Sequence, residues 1–257
     1  LTHSVVPVGL GDWQPPRAFV AHGLLNAMEP RMHMPLLHQM SHLRARWQAH
    51  LAHPHLSPIT SKVFRAVAKL FWGSEEAANL SSYEGKASAA KKIQDRMYIM
   101  DSLGLCSFAW PIMDSFNTPD HVGDPTLEAK IFSAVTGIPG EELDRYAERI
   151  FNLQRAILVR EGWTVPDSIP QYNFTEPLRT DPIGRELNIP GPGEEAISTV
   201  GNILDRERFV SMLKEYYRLR GWAPETGLPH AETLAALGLD ELATSFLGKK
   251  PECENEN

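Results

Sequence analysis

The chain has 257 residues, 42% of them hydrophobic and 22% charged, with a formal net charge of −7. Those proportions belong to a globular protein with room for a sizeable core, in one large domain or two smaller ones. The acidic balance argues against general nucleic-acid binding, which needs a basic face; no apolar run is long enough to span a bilayer, and no signal peptide is evident.

In chain order, the pattern is helical. MPLLHQMSHLRARWQAHL (34–51) places Leu36, Leu37, Met40, Leu43 and Trp47 on one helix face. In SPITSKVFRAVAKLFWG, Ser57 is read as the N-cap, Pro58 as the first-turn proline and Gly73 as the stop. A longer helix runs from Tyr83 through KASAAKKIQDRMYIMDSL to Gly104. DPTLEAKIFSAVTG (124–137) has an Asp cap, a first-turn Pro and a closing Gly. In PGEELDRYAERIFNLQRAILVREG, Leu143, Tyr146, Ile150, Leu153 and Ile157 line one face and Gly162 ends it. LDRERFVSMLKEYYRLRGW opens on Asp205 and stops at Gly221.

Between Trp163 and Asn202 the periodicity fails, because Pro166, Pro170, Pro177, Pro182, Pro190 and Pro192 break any helix. This reads as an extended, irregular excursion with a small hairpin around GEEAISTVGNIL. HAETLAALGLDELATSFL gives two short helices. The expected fold is mainly α, an irregular all-helical domain over 1–248 with a Pro-rich extended segment and at most a small hairpin. Residues 249–257 form a polar, disordered tail. The sequence opens with Leu rather than Met, so it is expected to be a processed product or part of a longer chain.

Two cysteines in dissimilar settings, Cys106 and Cys253, do not suggest a disulfide framework and fit a reducing cytoplasm. Cys106 closes the stretch Asp101-Ser-Leu-Gly-Leu-Cys106. A helix ends at Gly104, where a tight turn tolerates no Cβ. An ionised Asp101 can accept two hydrogen bonds from paired N–H donors, and a Cys106 thiolate can bind a soft metal. The alternative is a buried structural thiol. Phe108 and Trp110 beside it read as core packing.

Seven of ten histidines fall between His22 and His55, with His38 and His42 on one helix face. That pair could bind zinc, but no H-E-x-x-H pattern or third ligand accompanies it. An amphipathic helix with partly exposed histidines is the plainer reading. Lys86, Lys91, Lys92 and Arg96 stripe one helix, either toward ligand phosphates or as a solvated face. The run IPGPGEE lacks the Gly-Lys-Ser/Thr ending of a phosphate loop.

Several of these pieces recur together. Asp101-x-x-Gly-Leu-Cys106, the helix EELDRYAERIFNLQRAILVREG, Asp-x-Ile-Pro at 167–170, Glu-Pro-Leu at 176–178, and EYYRLRGW followed by the LAALGLDELA run stand in a fixed order. In that order they resemble the C-terminal portion of the tungsten-containing aldehyde ferredoxin oxidoreductase family. PPRAFVAHGLLNAMEPR extends the likeness upstream.

The resemblance implies a tungsten-bis-pterin cofactor of the molybdopterin type, contacted by the turn that contains Asp101, Gly104 and Leu105. It implies that Cys106 is one ligand of a 4Fe-4S cluster whose other three lie in an N-terminal portion outside this sequence. A cluster takes four thiolates, and Cys106 with Cys253 cannot supply them. It also implies a His and a Glu that move protons near the metal, with His33 and His38 in the corresponding region. AMEPRMHMP departs there from the Gly-rich pattern of aldehyde-oxidising members. HGLLNAMEPR and FWGSEEAANLSSYEGKASAAKKIQDR look closer to the tungsten subunit of the benzoyl-CoA reductase branch.

The expected partners are the N-terminal portion of the same enzyme and a ferredoxin or iron–sulfur electron-transfer subunit, with a homodimer left open. The expected location is cytoplasmic, and the isolated chain is expected to be inactive. Two rivals remain at this point: a cofactor-free helical interaction module on the same scaffold, and a simple His-based zinc protein.

Overall fold

The computed structural model describes residues 14–30, 34–163, 166–180 and 187–241, the side chains of Met34 and Pro35 excepted. Its helices are α1 (Val20–Met28), α2 (Met34–Ala52), α3 (Ser61–Val67), α4 (Lys86–Ser102), α5 (Leu127–Thr136), α6 (Glu142–Arg160), α7 (Tyr172–Thr175), α8 (Arg206–Leu219) and α9 (Ala231–Ala236). The strands described are β1 (Asn188–Pro190) and β2 (Ala196–Ser198), paired antiparallel. The fold is therefore mainly α, as the helical periodicity predicts. No described helix is long and apolar enough to cross a membrane.

α4 is the hub. Its alanines, Ala87, Ala89 and Ala90, are fully buried, as is Ile93, and α1, α2, α6 and α8 all pack against it. α1 is buried on every side, its polar His22 and Asn26 included, as a central helix is. Gly23 permits its close approach to α8, since a Cβ there would stand 2.7 Å from Phe209 Cε2.

Local chemistry explains most boundaries and corrects three expectations. α3 is capped by Thr60, whose Oγ1 accepts from Val63 N at 3.1 Å, and not by Ser57, whose Oγ accepts from Ile59 N in the preceding turn. A π-helical turn (68–72) then carries α3 to Gly73, as expected. Asp124 does not cap α5 directly. Its Oδ1 accepts from both the N–H and the hydroxyl of Thr126 at 2.9 and 2.6 Å, forming the turn that leads into the helix. The expected small hairpin is present but begins upstream of the stretch around which it is expected. Asn188 pairs with Ser198 and Pro190 with Ala196, so the Gly-Pro-Gly run is its loop and only β2 falls within GEEAISTVGNIL.

α6 is turned relative to its expected face. Leu143 is buried, but Tyr146 and Ile157 are each 37% exposed, and the inward residues include Ala147, Phe151, Asn152, Arg155 and Ala156. Of the two closing helices expected, α9 is described, and most of the stretch expected to form the second lies outside the described residues. The expected tail lies there as well.

Candidate functional site

α4 ends in a left-handed turn that presents the Asp101–Cys106 stretch. Gly104 has φ +68°. The Leu105 amide donates to the Met100 carbonyl at 2.9 Å and the Gly104 amide to the Asp101 carbonyl at 3.2 Å. This pair of bonds is a Schellman termination, which needs a residue without a Cβ penalty at the left-handed position. Nothing lies within 4 Å of where a Gly104 Cβ would be, so the turn is open to a group docking closely on its backbone. Asp101 and Cys106 are both exposed, and Leu105 is half-buried between them.

The loop that follows is folded back and tied down. The Cys106 carbonyl accepts from the amides of Ala109 and Trp110 at 3.0 and 2.9 Å, and the Trp110–Pro111 peptide is cis. Ser115 N bonds the His121 carbonyl, and Gly123 N bonds that of Met113. Arg46 of α2 reaches the loop and donates from Nε and Nη2 to one oxygen of Asp114, the Nε contact measuring 2.8 Å.

His38 of α2 belongs to the same neighbourhood. Its ring lies 4.6 Å from that of Phe108 and 5.7 Å from that of His42. It is only 8% exposed, and its Nδ1 is buried without a hydrogen-bond partner. Burial, then the charge of His42, push its pKa below the ordinary 6.5, partly offset by the Ser107 carbonyl. His38 is therefore neutral near pH 7 and keeps a ring nitrogen able to accept a proton. His33 and Cys253 lie outside the described residues. Among the described residues, no three His, Cys, Asp or Glu side chains gather as a metal cluster, so the His38–His42 pair has no third ligand there.

Two expectations about neighbouring residues are overturned. Phe108 is 66% exposed and does not pack in the core. Leu103, in the turn, and Ile112 and Phe116, in the loop after it, are exposed as well. Nor do the basic residues of α4 form a single solvated or phosphate-facing stripe. Lys86 is fully buried and donates to Glu76 O, Ser82 Oγ and Glu84 O, a cap for the loop that precedes α4. Arg96 stacks over the Phe71 ring at 4.7 Å and donates to the Pro125 carbonyl. Lys91 pairs with Asp95 and Glu148. Of the four, only Lys92 is exposed.

Periodicity alone missed a buried carboxylate. Glu29 caps the C-terminus of α1 at 1% exposure, and Tyr98 Oη, one helical turn before Asp101, lies 3.4 Å from its Oε2 and against Gln154 Oε1. The available signal was an acidic residue set in the otherwise apolar run LLNAMEP. A second polar assembly holds the Pro-rich segment. Asp167 accepts from Arg155 Nη1 and Nη2 at 2.8 and 2.6 Å, from Trp163 Nε1 and from Tyr217 Oη.

A family model described as aldehyde ferredoxin oxidoreductase, domains 2 and 3, matches residues 15–239. That span takes in all of α1 to α9, the Asp101–Cys106 turn, the Arg46-tethered loop and the Asp167 assembly. The chain belongs to the aldehyde ferredoxin oxidoreductase family.

Proposed function

We propose that this chain is the C-terminal part of a tungsten–pterin, 4Fe-4S oxidoreductase, completed by an N-terminal portion of the same enzyme. One observation carries the reading: a single Schellman turn holds an exposed carboxylate, Asp101, and an exposed thiol, Cys106, on either side of a glycine with open space above it. The donor set fits both cofactors. A carboxylate suits the paired N–H groups of a pterin ring, and a thiolate is the usual ligand of an iron–sulfur cluster.

When bound, the tungsten–pterin and the cluster supply two-electron chemistry and a one-electron relay respectively. The chain's own residues position and gate. Asp101 orients the pterin through hydrogen bonds, and Gly104 lets it approach the backbone. Cys106 supplies one cluster ligand. The exposed Leu103, Phe108, Ile112 and Phe116 exclude water once the N-terminal portion covers them. Neutral His38 accepts a proton at its uncompensated Nδ1, and buried Glu29 is the corresponding acidic group on α1.

The substrate is of the carbonyl or acyl-CoA class, and the AMEPRMHMP segment favours an aromatic acyl-CoA over a simple aldehyde. Electrons pass to or from a ferredoxin or an iron–sulfur subunit, in the cytoplasm.

The test is Cys106→Ser in the complete protein. Electron paramagnetic resonance should show the cluster signal lost, while tungsten and pterin content fall less. In Asp101→Asn, pterin retention should fall by roughly 1.5–3 kcal/mol per charge-assisted bond removed. A normal cluster signal in the Ser variant would refute the metal assignment. Iron and tungsten absent from the complete protein would favour a cofactor-free interaction module on the same scaffold.

A further inference from the structure

α5 is built inside out. It exposes Ile131 and Val135, at 47% and 81%, yet it buries Glu128 at 5%. Glu128 faces a cleft of about 950 Å³ between α4, α5 and α6, a size suited to a small organic molecule. Phe71, Ile99 and Leu143 supply apolar lining.

Two polar groups in this cleft are unsatisfied. Glu128 Oε1 is buried and accepts no hydrogen bond; the nearest cation, Arg96 Nε, stands 3.8 Å away. Arg96 uses Nη2 on the Pro125 carbonyl, but its Nη1 is buried and donates to nothing. Leaving one buried acceptor and one buried donor unmatched is costly, and native proteins retain such pairs where something else satisfies them. The surrounding charges do not call for an ion. Lys91 is neutralised by Asp95 and Glu148, Lys130 by Asp124, and as many acidic as basic side chains line the cleft.

We propose that the α4–α5–α6 cleft binds an uncharged planar ligand carrying an N–H donor beside a carbonyl acceptor, the edge of a primary carboxamide or lactam. The N–H donates to Glu128 Oε1 and the carbonyl accepts from Arg96 Nη1, while the body of the ligand lies on the apolar lining. A carboxylate in the same place would meet Glu128, and an amidinium would meet Arg96. Both pay like-charge repulsion that the amide avoids. The site is independent of the cofactor reading, because none of its polar anchors lies in the Asp101–Cys106 turn.

Three near-isosteric probes separate the possibilities: benzamide, benzoate and benzamidine, each titrated into the 257-residue chain and followed by heteronuclear NMR at the amides of Ala129, Ser133 and Leu143. Benzamide should saturate these shifts about tenfold more tightly than either ion, the worth of one charge-assisted hydrogen bond. Glu128→Gln should reverse the order of benzamide and benzoate, since Gln offers an N–H beside that of Arg96. The wild-type probe ranking stands as a test even if that variant does not fold. Absence of saturable shifts, equal affinity for the three probes, or an unchanged order in a folded Glu128→Gln variant would each overturn the proposal.

Discussion

The imidazole of His38 packs against the ring of Phe108 with centroids 4.6 Å apart and planes inclined by 57°. A residue of α2 is thereby coupled to the loop that begins at Cys106. The contact also explains the charge state of His38, because desolvation is the largest cause of its lowered pKa. Phe108→Ala should admit water and raise the His38 pKa toward 6.5, and His42→Ala should raise it by removing a like charge. Proton NMR titration of the His38 ring measures both. If neither substitution moves the midpoint, the environment described here does not set it.

His22 predicts a distinct acid limb in stability. It is fully buried in α1; Nδ1 donates to the Gln14 carbonyl and Nε2 has no partner. Burial pushes its pKa down to about 4. The unfolded chain binds the proton near pH 6.5 and the folded chain does not, so folding stability is complete above pH 6.5 and falls as pH drops toward 4. The slope for one such group is about 1.4 kcal/mol per pH unit, hence a loss of about 3 kcal/mol over the window. His22→Phe should keep the stack on Phe19 and remove this component. Urea denaturation from pH 4 to pH 7 should show the parent losing stability relative to the variant as pH falls; a constant difference would contradict the assignment.

Asp167→Asn should be strongly destabilising. It would leave the Arg155 guanidinium, 2% exposed, without its bidentate carboxylate. Breaking one side of a buried pair costs about 3–5 kcal/mol. Arg155 would keep its bonds to the Gly227 carbonyl, so the lower part of that range is expected. A denaturation midpoint within error of the parent would show that the pair does not hold the Pro-rich segment.

Much of this architecture was legible because the signals were single residues with one physical meaning. Gly73, Gly104, Gly137, Gly162 and Gly221 all adopt positive φ at helix ends, and Asp205 caps α8 by accepting from Arg208 N. Where burial depends on a specific partner, pattern failed. Asn152 and Arg155 stand outside the apolar set of Leu143, Tyr146, Ile150, Leu153 and Ile157, yet Trp222 Nε1 donates to Asn152 Oδ1 and Asp167 receives Arg155. α1 escaped because it is buried on every side, with no exposed polar face to set a periodicity, and Phe19 offers no side-chain cap. At the site, the turn itself was readable from Asp101, Gly104 and Cys106. The exposure of Phe108 was not, since an aromatic side chain in sequence gives no sign of whether its cover belongs to this part of the protein. Glu29 was missed for a related reason: a lone carboxylate reads as surface until Tyr98 is seen beside it.

The ion pair between Arg46 and Asp114 should control the order of the loop after Cys106 without controlling the fold. Among the large side chains of that loop, only Met113 and Val122 are buried, at 6% and 4%. Its internal bonds join residues close in sequence: the Asp114–Val122 bridge, the amides of Ala109, Trp110, Ser115, His121 and Gly123, and the side chains of Ser115, Thr118, Asp120 and His121. Arg46, like His38, reaches across to it from α2, and Asp114 is 11% exposed, so the pair is partly shielded from solvent. Asp114→Asn retains the size and one acceptor but removes the charge. Such a change should cost about 1 kcal/mol, too little to unfold a core centred on α4. Local opening is a different matter, because regions with few buried contacts open at small free energies. Hydrogen exchange at the Ser115 and Gly123 amides should accelerate about fivefold for that loss, while exchange at Ile93 and Met97 in α4 stays as in the parent. Arg46→Met should produce the same local effect, and combining the two should add little, since both remove one interaction. On the proposed role of Cys106 as a cluster ligand, Asp114→Asn in the complete protein should also lower cluster retention, because a more mobile loop presents the thiol less often. Unchanged exchange at Ser115 and Gly123 in both single variants would show that the Arg46–Asp114 pair has no part in ordering the loop.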